Sequence, residues 1–228
     1  MMRISHRTYS SIVDAAYLLL VTNAALAVIG LPLLVLLLTT DPSLSWPFLA
    51  VAAVPVGAGM AGVFWVFRDY REGERRLVLS FCRGLRRIAP RALALSSVVV
   101  GTVVVAAGDG VVLLSTQAGI WLAPLLGVIA LLALSAGLVG LVAMCDAPNA
   151  SLGRVLWVSL VIAVTRWPFT CISLAALAVQ WTVFVTAPAV GIGVTSAATL
   201  YVVWAGSRHS LLAALVPAEE LAEQGQSR

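Results

Sequence analysis

Six apolar stretches follow one another along the chain, separated by short polar connections. They are continuously apolar rather than alternating in polarity, which predicts transmembrane helices and not barrel strands. The first covers about 15–38 and holds Asn23 and Pro32 inside it. The second, about 46–67, begins at Trp46, an interfacial anchor, and is rich in Pro47, Pro55, Gly57, Gly59 and Gly62. Small residues let helix backbones approach closely where lipid supplies no hydrophobic drive, so this span is expected to be kinked and tightly packed. The third covers about 92–114, with Asp109 near its far end, and the fourth about 120–144, followed by a polar turn. The fifth and sixth, about 169–187 and 190–206, are joined by a turn at Pro188, and the polar tail 208–228 carries Glu219, Glu220 and Glu223. That tail predicts a short helix that frays.

Two further helices are expected outside the spans. The stretch from Arg68 to Arg91 holds eight of the fourteen arginines. On a helical wheel Leu77, Val78, Phe81, Leu85 and Ile88 share an arc of about 100°, and Arg75, Arg76, Arg83, Arg86 and Arg87 occupy the opposite one. This predicts an amphipathic helix over 74–88, lying at headgroup level with its guanidinium groups toward anionic phosphates and ended or kinked at Pro90. Its tether between two spans and the apolar placement of Phe81 argue against a nucleic-acid face. The second helix is 151–166. The apolar run before Arg166 makes roughly 16–22 Å of helix, too short for a hydrocarbon core of about 30 Å. The expected fold is therefore all-α: one integral membrane domain over 1–228, with six spans and two interfacial helices.

Composition agrees and adds an orientation. The chain is 61% hydrophobic and 11% charged, with a formal net charge of +4, whereas soluble domains carry about 25% charged residues. If the 68–91 stretch is cytoplasmic, six spans put both termini inside and every arginine on the cytoplasmic side, leaving only Asp41 and Asp109 outside. That is a positive-inside distribution. Cys82, Cys145 and Cys171 then all lie toward the reducing side. The first apolar run is longer than a signal-peptide core of about 7–15 residues, and it ends in Leu-Thr-Thr-Asp-Pro, so an uncleaved span is expected. All basic residues being Arg, beside abundant Ala, Val, Leu and Gly, fits a GC-rich genome.

Chemistry is sparse. There are no paired carboxylates, nucleophile elbows or phosphate loops, and the cysteines lack metal-ligand spacing, so neither catalysis nor a cofactor is expected. No acidic residue stands at a span centre, which argues against an ion-coupled carrier. Asn23 and Gln180 are intramembrane polar residues suited to hydrogen bonding between helices. Arg166 either snorkels to the inner leaflet or pairs with Asp14, which has a similar expected depth. A repeat offset of 78 residues relates Pro90 to Pro168, Gly59 to Gly137 and Gly62 to Gly140.

Several motifs coincide with a family. Asn23 followed by Leu31-Pro32, Phe67-Arg68-Asp69 with Gly73, Phe81-Cys-Arg-Gly84-Leu-Arg-Arg, Pro90, and Thr165-Arg166-Trp167-Pro168 together resemble the YesL-like bacterial membrane proteins. The Thr/Gly-containing turn that usually follows the Leu-Pro is replaced here by more apolar residues and Asp41-Pro42. The resemblance implies a multi-span protein of the bacterial inner membrane, with genes often beside carbohydrate ABC uptake systems and no established catalytic residues.

The expected function is thus a non-enzymatic accessory or regulatory component associated with carbohydrate uptake, touching anionic lipid or ABC transporter components. The alternative is a solute-binding membrane subunit of a multi-component transporter, and a third is an enzyme acting on a lipid-linked substrate. A sugar permease is not expected, because the 68–91 stretch lacks the acidic-Ala-Ala start of a coupling helix.

Overall fold

A computed structural model describes residues 6–114, 116–117, 119–187 and 190–226, with side chains described between residues 13 and 212. Arg3 and Pro188 lie outside it, as do the side chains of Arg7, Glu219, Glu220 and Glu223. The chain forms α1 (His6–Thr39), α2 (Pro42–Arg71), α3 (Leu77–Leu114), α4 (Gly119–Asp146), α5 (Leu152–Thr165) and α6 (Trp167–Thr186). A π-helical turn (Gly191–Thr195) then leads directly into α7 (Ser196–Gln226). Among the described residues, five helices are long and apolar enough to cross a membrane: Val13–Thr39, Pro42–Arg71, Leu77–Leu114, Gly119–Asp146 and Trp167–Thr186. The architecture is that of a multi-pass helical membrane bundle. The many exposed apolar side chains, such as Leu38, Val51, Val111 and Trp121, meet lipid rather than water in that setting.

The connections are built by local chemistry. Asp41 caps α2 by accepting from the Ser43 backbone N–H at 2.9 Å and the Ser43 hydroxyl at 2.7 Å, with Pro42 at the first helical position. The Ser43 side-chain and backbone donors hold the Asp41 carboxyl below the usual carboxylate range. After α2 the chain reverses at Gly73, whose φ of +95° is open to glycine at no steric cost. Glu74 then accepts from the backbone N–H groups of Arg75 and Arg76 at 2.9 and 3.0 Å. Those donors, Arg76 first, lower its pKa.

Glycines set how closely the helices approach. A Cβ on Gly84 would lie 2.5 Å from Trp65 Cγ, and one on Gly62 would lie 2.7 Å from Phe81 Cε2. Between α3 and α4 the same role falls to Gly137 against Val99 and Gly140 against Leu95, at 2.8 and 2.9 Å. On α2 the expectation of close-packed glycines is met at Gly57, Gly59 and Gly62, whose added Cβ atoms would meet Ser96, Ile29 and Phe81. Gly84→Val is expected to cost about 1–3 kcal/mol through overpacking, measured as thermal unfolding in detergent. Gly101→Ala is the control, because its Cβ would meet nothing within 4 Å. Equal behaviour of the two variants would refute the close-packing account. The core is densest where α2, α3, α4 and α7 meet near the arginine-bearing end. Phe64, Phe67, Ile88, Val142 and Trp204 are buried there, and Phe67 meets Tyr201 edge-on at 5.3 Å.

Several expectations change. The amphipathic stretch and the third span are one 38-residue helix, α3, which passes through Pro90 without ending. Proline removes one backbone donor, whereas a break would separate Ile88 and Ala92, both fully buried on either side of it. Residues 74–76 precede the helix, so Arg75 and Arg76 belong to the connecting loop rather than to a helical arc. The apolar arc packs into the bundle instead of lipid, with Leu77 and Ile88 buried, and Val78 falls outside it at 57% exposure. Pro168 opens α6 rather than closing α5. It is therefore not equivalent to Pro90, and the 78-residue repeat has no structural counterpart at these prolines. The polar tail forms a longer helix than expected, α7 running on through Arg208 to Gln226.

Candidate functional site

Two polar constellations stand out in the bundle. At the arginine-bearing end, Asp69 is 7% exposed, and its carboxylate gathers three donors. Trp65 Nε1 donates at 3.1 Å, Ser80 Oγ at 2.6 Å and Arg68 at 3.0 Å. Arg68 also donates to the Cys145 carbonyl, tying α2 to the end of α4. Its guanidinium carbon lies 3.8 Å from the centre of the Trp65 ring, and that of Arg87 lies 5.9 Å from it. Arg91 donates to the Pro148 carbonyl, which pins α3 to the turn after α4. Arg208 approaches Asp146 at 3.9 Å and stacks on Trp204 at 5.4 Å. These contacts turn Arg68, Arg91 and Arg208 inward, and the Nε atoms of Arg68 and Arg208 are buried there without a hydrogen bond.

The other arginines of the 68–91 stretch stay on the surface. Arg83, Arg86 and Arg87 are exposed on α3, held outward because Leu77, Ser80, Gly84 and Ile88 on the other face are buried. Arg75 pairs with Asp14 at 2.7 Å and lies over Tyr70 at 5.3 Å. Asp14 therefore takes its partner from the α2–α3 loop, and the expected Asp14–Arg166 pair is replaced. Both members are well exposed, so the bridge contributes little. Arg76 is exposed beside it. Arg166 stands at the junction of α5 and α6, its backbone N–H donating to Ile162 and its carbonyl accepting from Phe169.

The second constellation lies within the spans. Asn23, 3% exposed, donates from Nδ2 to the carbonyls of Gly193 and Val194 at 2.9 and 3.1 Å. Its Oδ1 accepts the Ala197 N–H at 2.7 Å. In a regular α-helix the Ala197 N–H would bond the Gly193 carbonyl directly. Here the Asn23 amide stands between the two and satisfies both, at the place where the backbone takes the π form. Gln180 holds the other side of the same turn. Its Nε2 donates to the Gly191 carbonyl at 2.9 Å and Ser196 Oγ at 3.0 Å. Its Oε1 accepts from Thr195 at 2.8 Å and Thr199 at 3.1 Å. Asn23 and Gln180 are thus hydrogen-bonding residues between elements, as expected, and they converge on a single turn.

No protein-family model, curated protein or solved structure matches this chain.

The π-turn forms part of the wall of a cavity of about 360 Å³ between α1, α2, α6 and α7. Leu34, Met60, Leu177 and Phe184 line it together with Gln180 and Thr199. Backbone irregularities of the π type recur at functional sites, and the volume falls in the range of about 300–1,000 Å³ typical of small-molecule pockets. Sequence reasoning missed both the Trp65–Asp69–Ser80 cluster and the turn. The four-residue spacing of Trp65 and Asp69, which puts both on one helix face, was a usable signal. For the turn there was only the weaker mark of Gly191 and Gly193 preceding a Thr-Ser pair.

Proposed function

We propose that this chain is a non-enzymatic accessory or regulatory protein of the bacterial inner membrane, with six spans and both termini cytoplasmic. The observation that carries the reading is the arginine face of α3. Arg83, Arg86 and Arg87 project from a helix whose opposite face is locked into the core, so their charges face anionic headgroups or a partner protein without needing to reorganise. The sixth span would be the π-turn with the first half of α7. The association with carbohydrate uptake rests on the YesL-like resemblance alone.

Changing Arg83, Arg86 and Arg87 together to Gln is expected to cost about 1 kcal/mol per arginine in preference for anionic over neutral lipid. Native mass spectrometry of lipids retained from mixed nanodiscs measures this, with membrane insertion unchanged. If neither lipid retention nor co-purification of a transporter component changes, the arginines act only as a topology signal. Orientation has its own readout. Cys82 is exposed on α3 and should react with a membrane-impermeant maleimide only after cells are opened. Labelling of intact cells would invert the topology.

A second reading, a solute-binding membrane subunit of a multi-component transporter, is favoured by the 360 Å³ cavity. Recovery of a bound small molecule with the purified protein would support it.

A further inference from the structure

We propose that the cavity between α1, α2, α6 and α7 binds a hydrocarbon chain that enters from the bilayer. This inference rests on the solute-binding reading and names the class of solute. The space is a cleft partly open to the bundle surface rather than a flat face: Gly30, on its α1 wall, is buried, yet a Cβ there would meet nothing within 4 Å. Gly59 on α2 has no such room, since its Cβ would meet Ile29 at 3.2 Å.

Wall chemistry selects the guest. Gln180 spends both amide hydrogens on Gly191 and Ser196, and its carbonyl oxygen on Thr195 and Thr199. Ser196 accepts from Gln180 and donates to the Gly191 carbonyl at 2.6 Å. Thr199 donates its hydroxyl proton to Gln180. The wall's polar side chains are thus committed to holding the π-turn. A sugar ring or an ion would leave its hydration shell for leucines and methionine and recover almost none of the lost bonds. A saturated chain loses nothing polar and gains dispersion contacts, and Met60 adapts its shape to it.

The route in is also apolar. Leu31, Val35 and Leu38 on α1 and Val185 on α6 are exposed around the site, so the surrounding medium is lipid. Trp181 lines the cavity, is 61% exposed and stacks on Phe184 at 6.1 Å, which places an aromatic plate between cavity and bilayer.

The test uses full-length protein in detergent with a photoactivatable alkyl-chain probe, read by mass spectrometry of labelled peptides. Wild-type protein should label on α1 and α6. Gly30→Leu extends a side chain into the cleft from a Cβ that meets nothing within 4 Å and replaces glycine by a better helix former. It should lower labelling by about tenfold while the thermal midpoint does not fall. Unchanged labelling in Gly30→Leu overturns the proposal. So does a Gly30→Leu variant that instead dissociates a dimer, since a second copy would then fill the cavity. A polar solute co-purifying in place of hydrocarbon leaves the solute-binding reading standing and removes this one. Absence of both probe labelling and any bound solute removes both.

Discussion

Asn23→Leu is expected to produce the largest stability loss of any single change in α1. The leucine keeps the volume but strands the Gly193 and Val194 carbonyls and the Ala197 N–H, each of which Asn23 now satisfies. Hydrogen bonds inside membranes average about 0.6 kcal/mol with a maximum near 1.7, and stranded buried groups add a cost of about 1–3 kcal/mol. Three bonds lost together should lower unfolding free energy by about 2–5 kcal/mol, read by thermal or denaturant unfolding in a fixed detergent. The π-turn offers one escape: the Ala197 N–H could return to the Gly193 carbonyl, converting the turn to ordinary α-helix. That conversion would shift the register of Gly191 against Gln180, so Gln180→Leu should then add less in the double variant than alone. A loss below about 0.5 kcal/mol with full additivity would show that Asn23 does not hold the turn.

Asp69→Ala is expected to destabilise by about 3 kcal/mol, the lower end of the range for breaking a buried ion pair, because Arg68 keeps the exposed Glu72 at 3.7 Å. Arg68 and Asp69 retain only 17% and 9% of their side-chain exposure, and the same substitution also strands Trp65 Nε1 and Ser80 Oγ. Asp69→Asn keeps an acceptor for the two neutral donors and should lose less. Replacing both partners, as Arg68→Met with Asp69→Leu, should recover much of the loss, since apolar isosteres of a buried pair are often near neutral. If the double variant is as unstable as Asp69→Ala, the ion pair is not the source of the effect. Both series separate structure from function: the cavity and the arginine face remain to be assayed in any variant that still folds.

The run lengths of apolar residues made the spans legible, because a lipid environment forces the backbone to satisfy itself in helices. Chain-local rules failed where tertiary packing outweighed them. Pro90 reads as a stop or a kink, and the stop is ruled out because Ile88 and Ala92 are both buried on the same continuous helix. The second span is expected to end near residue 67, whereas α2 runs on to Arg71 with Asp69 folded inward. Among the candidate residues, Asn23 and Gln180 could be recognised as polar groups that need partners in lipid. That both would choose backbone and hydroxyls of a single turn depended on the arrangement of α1 and α6, to which no local spacing points. Asp14 was matched by depth to Arg166, but Arg75 competes from the α2–α3 loop and wins at 2.7 Å.

The unbroken α3 has a mechanical side. Its 38 residues make a rod of about 57 Å at 1.5 Å per residue, nearly twice the hydrocarbon thickness of about 30 Å. The half from Leu77 to Arg91 is clamped against α2 by interlocking glycines and aromatics, while Val105, Val111, Val112 and Leu114 at the other end are exposed. The rod is gripped closely at one end and more exposed at the other. A helix of that length must tilt or carry one end beyond the hydrocarbon, and the end that bears Arg83, Arg86 and Arg87 is the one whose charges water and headgroups can accommodate.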